Sequence, residues 1–126
     1  HMIAQYTQAG IVSELKRLAA PASVDSIPTS AMQEDHVSMG WSAARKLRRS
    51  IDGLQRVLAI ELMTAARGIQ MRGAGPSPVS AAVIEALREV VPGPGPDRYL
   101  ALDIESAVDL VVSGTLLRAS GIGEAS

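Results

Sequence analysis

The stretch that decides the fold reads, from position 47 to position 69, LRRSIDGLQRVLAIELMTAARGI. Its apolar residues recur every three or four positions, as on one face of an α-helix; they are Leu47, Ile51, Leu54, Leu58, Leu62, Ala65 and Ile69. The pattern predicts a helix over 38–71, on the order of 50 Å long at about 1.5 Å per residue. Such a helix is longer than a domain of 126 residues is wide, so it must project or pack against other chains. Gly53 is the predicted contact point of a neighbouring helix, because glycine allows close approach.

The composition favours an all-α fold. The chain is 47% apolar but has no Phe, one Trp and two Tyr, so Leu, Val, Ile, Ala and Met must build the core. The remaining pattern predicts a helix over 3–20, a helix from Ser77-Pro78 to about Val91 and a last helix capped by Asp103. We therefore expect a long-helix bundle fragment with a long loop, 21–37, between the first and second helices, and a flexible tail over 114–126.

Charge and cysteine content narrow the class of protein. Twelve Lys and Arg stand against thirteen Asp and Glu, and the net charge of −1 gives no support for binding to nucleic acid or to a membrane. No apolar run approaches the roughly 20 residues of a bilayer helix. The absence of cysteine suits a cytoplasmic chain. The start, His1-Met2, looks like the remnant of an expression tag, and the immediate helical pattern indicates a chain cut from something longer.

Two charged clusters are weak functional candidates. His36 follows Glu34 and Asp35, but adjacent loop residues rarely face one ion, so we predict no metal site. The basic run 45–49 has Asp52 within helical reach, which favours a solvated helix face or interface ion pairs over a nucleic-acid patch.

The loop over 21–37 is the stronger candidate. It has two prolines and four Ser or Thr, and loops of this length inside a compact domain are usually functional or disordered. Apolar residues that a solvated linker lacks favour function; they are Val24, Ile27, Met32 and Val37. Asp35 or Ser38 is expected to cap the long helix, which leaves Gln33 and Glu34 for chemistry.

The block over 21–40, PASVDSIPTSAMQEDHVSMG, resembles the signature of histidine ammonia-lyases, within the family of aromatic amino acid ammonia-lyases. The resemblance extends to 3–7, 43–47, 59–61, 97–99 and 103–105, and it implies the C-terminal part of an enzyme that converts L-histidine to trans-urocanate and ammonia. The related tyrosine and phenylalanine lyases and aminomutases typically read Asn-Gln-Asp without the inserted Glu, so Glu34 points to histidine. A non-catalytic helical oligomerisation module remains the alternative from another class.

The resemblance also implies a 4-methylidene-imidazol-5-one prosthetic group, formed from an Ala-Ser-Gly upstream of anything in this chain. Ala119-Ser120-Gly121 matches that tripeptide, but cyclisation requires a tightly bent, shielded backbone, which a chain end does not supply. We therefore expect this chain alone to be inactive.

By the same resemblance, Glu34 is the catalytic and substrate-binding carboxylate, in contact with the imidazole or the amine of the amino acid. Whether it transfers a proton or only binds is left open. Gln33 is implied as substrate-binding, and Met32, Asp35 and His36 as loop-supporting, with Met32 in a place where many members have Asn. We expect Glu34 to be partly buried against Met32 and Val37. The family's homotetramers, built on a central bundle of long helices, imply self-association through 41–71.

Overall fold

The computed structural model describes residues 2–73 and 75–122, and this part of the chain forms five α-helices. The helices are α1 (Met2–Leu18), α2 (Gly40–Arg72), α3 (Pro78–Arg88), α4 (Ala101–Val112) and α5 (Thr115–Ser120), with a 3-10 turn at Ala22–Val24. Within the described ranges, extended pairing is limited to a single bridge between Thr29 and Glu34. The predicted all-α class is confirmed.

Helix α2 is 33 residues long and agrees with the predicted span of 38–71 to within two residues. It ends where Gly73 takes a left-handed φ of 67° and donates its N–H to the carbonyl of Gln70, a conformation that costs glycine little. Long as it is, α2 is too polar to cross a membrane, and no other helix in the described part of the chain could cross one either.

Helix α1 lies antiparallel against the first half of α2. Near the start of α1, Gln8 donates through Nε2 to the carbonyl of Val57 at 3.0 Å. Just past its end, the ammonium of Lys46 on α2 donates to the carbonyl of Ala20. These two contacts hold both ends of the helix pair and so fix where the chain leaves α1 and enters α2.

Gly53 is the point of close approach, as the sequence predicts. A Cβ atom at this position would lie 2.9 Å from Cδ2 of Leu15 and 3.3 Å from Cγ2 of Ile11. Both distances are shorter than ordinary carbon contacts. Gly68 on the same helix has open space instead, with nothing within 4 Å.

The core surrounds the second half of α2. Helices α3, α4 and α5 pack there, and the buried cluster consists of Ala59, Met63, Ala66, Leu87, Val91, Ala107 and Leu116. Helix α1 and the 3-10 turn pack against the first half of α2. The two ends of the long helix are therefore very unequally covered.

Helix α3 begins as predicted. The hydroxyl of Ser77 accepts from the N–H of Ser80 at 3.3 Å, and Pro78 occupies the first turn. The helix ends at Arg88 rather than near Val91, but Val91 still donates its N–H to Leu87 and is buried in the core.

Asp103 does not cap α4, and that prediction is wrong. The N-cap residue is Leu100, and Asp103 lies in the first turn of the helix. Its carboxylate accepts from Nε of Arg98 at 2.7 Å, and the same guanidinium donates to the carbonyls of Pro92 and Gly93. Through Arg98, Asp103 thus ties the first turn of α4 to the segment that contains Pro92 and Gly93. This role depends on tertiary contacts and not on the local sequence pattern.

The predicted flexible tail is wrong over residues 114–122. Gly114 takes a left-handed φ of 72°, which ends α4 and turns the chain into α5. Leu116 is buried in the core, and Arg118 donates to the carbonyl of Ser113 at 2.9 Å. Packing on α3 stabilises a helix too short to form alone. Residues 123–126 of the predicted tail lie outside the described residues.

The same substitution at the two glycines of α2 should separate packing from helix propensity. Gly53→Val should lower the free energy of unfolding by about 1–3 kcal/mol, because the new methyl groups overlap Leu15 and Ile11. Gly68→Val should be neutral or slightly stabilising, since valine is the better helix former and the space is open. Urea unfolding followed by circular dichroism measures both, and equal effects would contradict the close approach at Gly53.

Candidate functional site

The loop between α1 and α2 is closed by two pairs of hydrogen bonds. The hydroxyl of Ser26 donates to the carbonyl of Val37 at 3.2 Å and accepts from its N–H at 3.0 Å. Further in, Thr29 and Glu34 exchange backbone hydrogen bonds at 3.1 and 3.3 Å. One pair runs through the side chain of Ser26 and the other joins two backbones; together we call them the ladder, and residues 30–33 form its tip.

The tip is a left-handed turn made of residues other than glycine. Ser30, Ala31 and Met32 have φ values of 53°, 53° and 68°. Each such residue costs about 1–2 kcal/mol, because its Cβ crowds the following carbonyl. The N–H of Gln33 closes the turn on the carbonyl of Ser30 at 3.1 Å. The ladder thus imposes a geometry that these residues do not prefer.

Glu34, the predicted catalytic residue, stands at the last paired position of the ladder. Its Oε2 accepts a hydrogen bond from Oγ1 of Thr29 at 2.8 Å. Glu34 is exposed, so the expected partial burial is wrong for this chain. The reason is the turn: Met32 lies in its left-handed conformation, 78% exposed, and does not cover the carboxylate. Thr29 holds Oε2 of the carboxylate, and the rest of the group faces solvent.

The other predicted site residues share the same loop. Gln33, Asp35 and His36 are exposed. The capping prediction is wrong, because the N-cap of α2 is Met39, with no side-chain cap. Ser38 makes only a local bond, in which its hydroxyl accepts from the N–H of Gly40 at 3.2 Å.

Sequence reasoning missed the two residues that brace the loop, Ser26 and Thr29. Both lie in a stretch rich in Ser and Thr, whose hydroxyls readily bond to nearby backbone groups. That composition was the available signal, but it does not tell which of the four hydroxyls bonds to which partner.

The remaining candidate clusters make no additional site in the described residues. Over 2–73 and 75–122, no three His, Asp or Glu side chains are placed to hold a metal ion. In the basic run, Arg45, Arg48 and Arg49 are exposed, while Lys46 holds the end of α1.

Ala119-Ser120-Gly121 does not fit the prosthetic group that the resemblance implies. A five-membered imidazolone ring would have to close between the amide nitrogen of Gly121 and the carbonyl carbon of Ala119. In the structure, Gly121 donates that N–H to the carbonyl of Arg118 at 3.1 Å, and the hydroxyl of Ser120 donates to Leu117 at 2.6 Å. The tripeptide therefore serves as the C-terminal end of α5.

Comparison with known proteins places this architecture in a family. Residues 1–89 match the family model described as "Aromatic amino acid lyase", and the chain belongs to that family. Among curated relatives, it is 64% identical over 121 residues to the histidine ammonia-lyase of Streptomyces coelicolor, covering 94% of this chain and 24% of the relative. The histidine ammonia-lyase of Gloeobacter violaceus is 52% identical, covering 94% and 23%.

Solved structures show the same likeness. Histidine ammonia-lyase from Trypanosoma cruzi superposes with a TM-score of 0.89 at 40% identity, over 95% of this chain and 24% of that one. Tyrosine aminomutase from Streptomyces globisporus gives 0.87 at 40% identity, over 94% and 23%. The chain thus spans about a quarter of the length of the relatives it matches.

Glycine substitutions in the turn and in a helix should have different effects. Ala31→Gly should leave the free energy of unfolding unchanged or raise it, because relief of about 1 kcal/mol of strain offsets the greater freedom of the unfolded chain. Ala44→Gly, at an exposed position in α2, should lower it by about 1 kcal/mol. Urea unfolding measures both, and an equal loss in the two variants would contradict the left-handed turn.

Proposed function

We propose that this chain is part of a histidine ammonia-lyase, which converts L-histidine to trans-urocanate and ammonia. The observation that carries the proposal is its 64% identity over 121 residues with the Streptomyces coelicolor histidine ammonia-lyase. A cytoplasmic location accompanies this function, since a chain without cysteine needs no oxidising compartment.

The reaction assigns distinct tasks to the enzyme. The Cα–N bond breaks, a proton leaves Cβ, the electron pair of the C–H bond forms the new double bond, and ammonia departs. Glu34 can receive an imidazole N–H or the ammonium group of the substrate, because only Oε2 is engaged by Thr29. Gln33, with donors and an acceptor on one amide, would orient the substrate beside it. A carboxylate complements imidazole better than it does a phenyl ring, which supports histidine as substrate.

This chain would supply the carboxylate loop of the active site and not its electrophile. The geometry of residues 119–121 does not suit ring closure, so the Ala-Ser-Gly that forms the prosthetic group would lie elsewhere in the whole enzyme. The exposure of Gln33 and Glu34 is consistent with a site completed by other parts of that enzyme. The isolated chain is accordingly proposed to be inactive.

Two alternatives have specific observations in their favour. The TM-score of 0.87 with Streptomyces globisporus tyrosine aminomutase favours a tyrosine or phenylalanine lyase or aminomutase. The open face of α2 favours a non-catalytic helical oligomerisation module. Glu34 argues against the first alternative. The bracing of its carboxylate by Thr29, which a scaffold does not need, argues against the second.

Self-association of the chain is part of the proposal. Four residues of the apolar stripe, between positions 47 and 58 of α2, are 41–61% exposed; they are Leu47, Ile51, Leu54 and Leu58. The accessible surface is 8959 Å², whereas a compact monomer of this mass exposes about 6,400 Å². A continuous apolar stripe on so open a molecule is typical of an interaction surface, and we propose that a second copy covers it.

Activity tests the proposed function in a chimera, in which this chain replaces the segment it matches in the Streptomyces coelicolor relative. The chimera should produce urocanate from L-histidine, followed by its absorbance. Glu34→Gln should lower kcat by at least about a hundredfold, because the amide keeps the shape but loses the charge and the basicity. A loss below about tenfold would remove the catalytic role. Turnover of L-tyrosine alone would move the assignment to the other branch of the family.

A matched carboxylate serves as control for that measurement. Glu14 on α1 is exposed and pairs only with Arg17 at 3.1 Å. Glu14→Gln should therefore change kcat by less than about twofold, since an exposed ion pair contributes little. A comparable loss in both variants would show a general effect of charge rather than a role of Glu34.

Light scattering tests self-association of the 126-residue chain. At low micromolar concentration, the wild type should form oligomers. The Leu54→Glu variant should be monomeric, because an oligomer would have to bury the new charge in its interface. Met71→Glu is the control, because Met71 is 69% exposed but lies roughly 120° around the helix from the stripe. A compact wild-type monomer would contradict the proposal.

A further inference from the structure

Three hydrogen bonds join Thr29 and Glu34. Two join the backbones at 3.1 and 3.3 Å, and the third runs from Oγ1 of Thr29 to Oε2 of Glu34 at 2.8 Å. One residue thus fixes both the backbone and the carboxylate of the predicted catalytic residue. We propose that Thr29 is the positioning residue of Glu34, an inference that rests on the proposed function.

The environment of Thr29 suits it to this task. Thr29 is half-buried, while Pro28 and Ser30 on either side are exposed. Threonine is branched at Cβ, so its hydroxyl has few orientations, and the ladder fixes the backbone that carries it. Glutamate is the opposite case, because its long side chain has many rotamers and loses considerable entropy when held. The stiff partner therefore sets the position of the flexible one.

The hydroxyl also decides which part of the carboxylate meets the substrate. A hydrogen bond to a charged oxygen is stronger than a neutral one, so Oε2 stays engaged and Oε1 is left for the substrate. Because the side chain is held before substrate arrives, no reorganisation is needed during the reaction. Loss of this alignment should lower kcat more than it raises KM, since the transition state depends most on geometry.

The chimera with the Streptomyces coelicolor relative tests the inference through kinetics. Thr29→Val keeps the shape and the backbone pairing but removes the hydroxyl, and it should lower kcat about tenfold or more with KM nearly unchanged. Thr29→Ser should restore most of the rate. In the Glu34→Gln background, Thr29→Val should have no further effect, because Thr29 acts only through the carboxylate. The control is Thr64→Val on α2, whose hydroxyl bonds within its own helix and which should leave the rate unchanged.

The outcomes separate this inference from the function on which it rests. A chimera that makes no urocanate overturns the proposed function, and the role of Thr29 in it as well. Two results in an active chimera would overturn the positioning role alone. In one, Thr29→Val leaves kcat unchanged; in the other, Thr29→Val lowers kcat further in the Glu34→Gln background. Side-chain couplings of Glu34, measured by NMR in the 126-residue chain, give a second test that needs no activity. The couplings should report one Glu34 rotamer in the wild type and several interconverting rotamers in Thr29→Val. Several rotamers already in the wild type would overturn the inference.

Discussion

The apolar surface of α2 exceeds what the other described helices cover, and the architecture follows from this constraint. The second half of the helix buries Ala59, Met63 and Ala66 against helices that follow it in sequence. The first half has α1 on one side, fitted closely at Gly53, and an open stripe on another. Hydrophobic burial therefore stabilises one end of the molecule, while apolar side chains stay exposed at the other end.

The candidate site lies at the partly covered end for a structural reason. The pairing of α1 with α2 fixes both ends of the connecting loop, through the contact of Lys46 with Ala20 on one side and the start of α2 on the other. Between these points, the loop forms its own ladder and holds Glu34 without help from the core. The loop is thus supported by two helices but not buried by them, and its polar side chains stay exposed, as is usual for loops that carry function.

Local sequence rules predicted the features that depend on local physics. The spacing of the leucines predicted α2, and the pair Ser77-Pro78 predicted the start of α3. The glycine at position 53 predicted a close helix contact there. The rules failed where a distant partner decides the outcome. Asp103 could have capped a helix but binds Arg98, and residues 115–120 form a helix only because they pack on α3.

The candidate site shows the same division. The resemblance of the loop to a known signature indicated Gln33 and Glu34, because chemistry restricts which side chains a reaction can use. The bracing by Ser26 and Thr29, and the left-handed conformation at Met32, come from cross-loop pairing that no neighbouring residue encodes. Composition alone cannot specify which hydroxyl meets which carbonyl.

The ladder has a consequence for how this loop can vary. Its two pairs, Ser26 with Val37 and Thr29 with Glu34, are centred on the same point of the tip, so they share one register. Substitutions at the tip preserve that register, but an insertion or deletion there breaks both pairs at once. Loss of one tip residue would place Asp35 opposite Thr29, a carboxylate one methylene shorter than the one it replaces. The spacing between Thr29 and Glu34 is therefore as much a part of the site as the residues themselves.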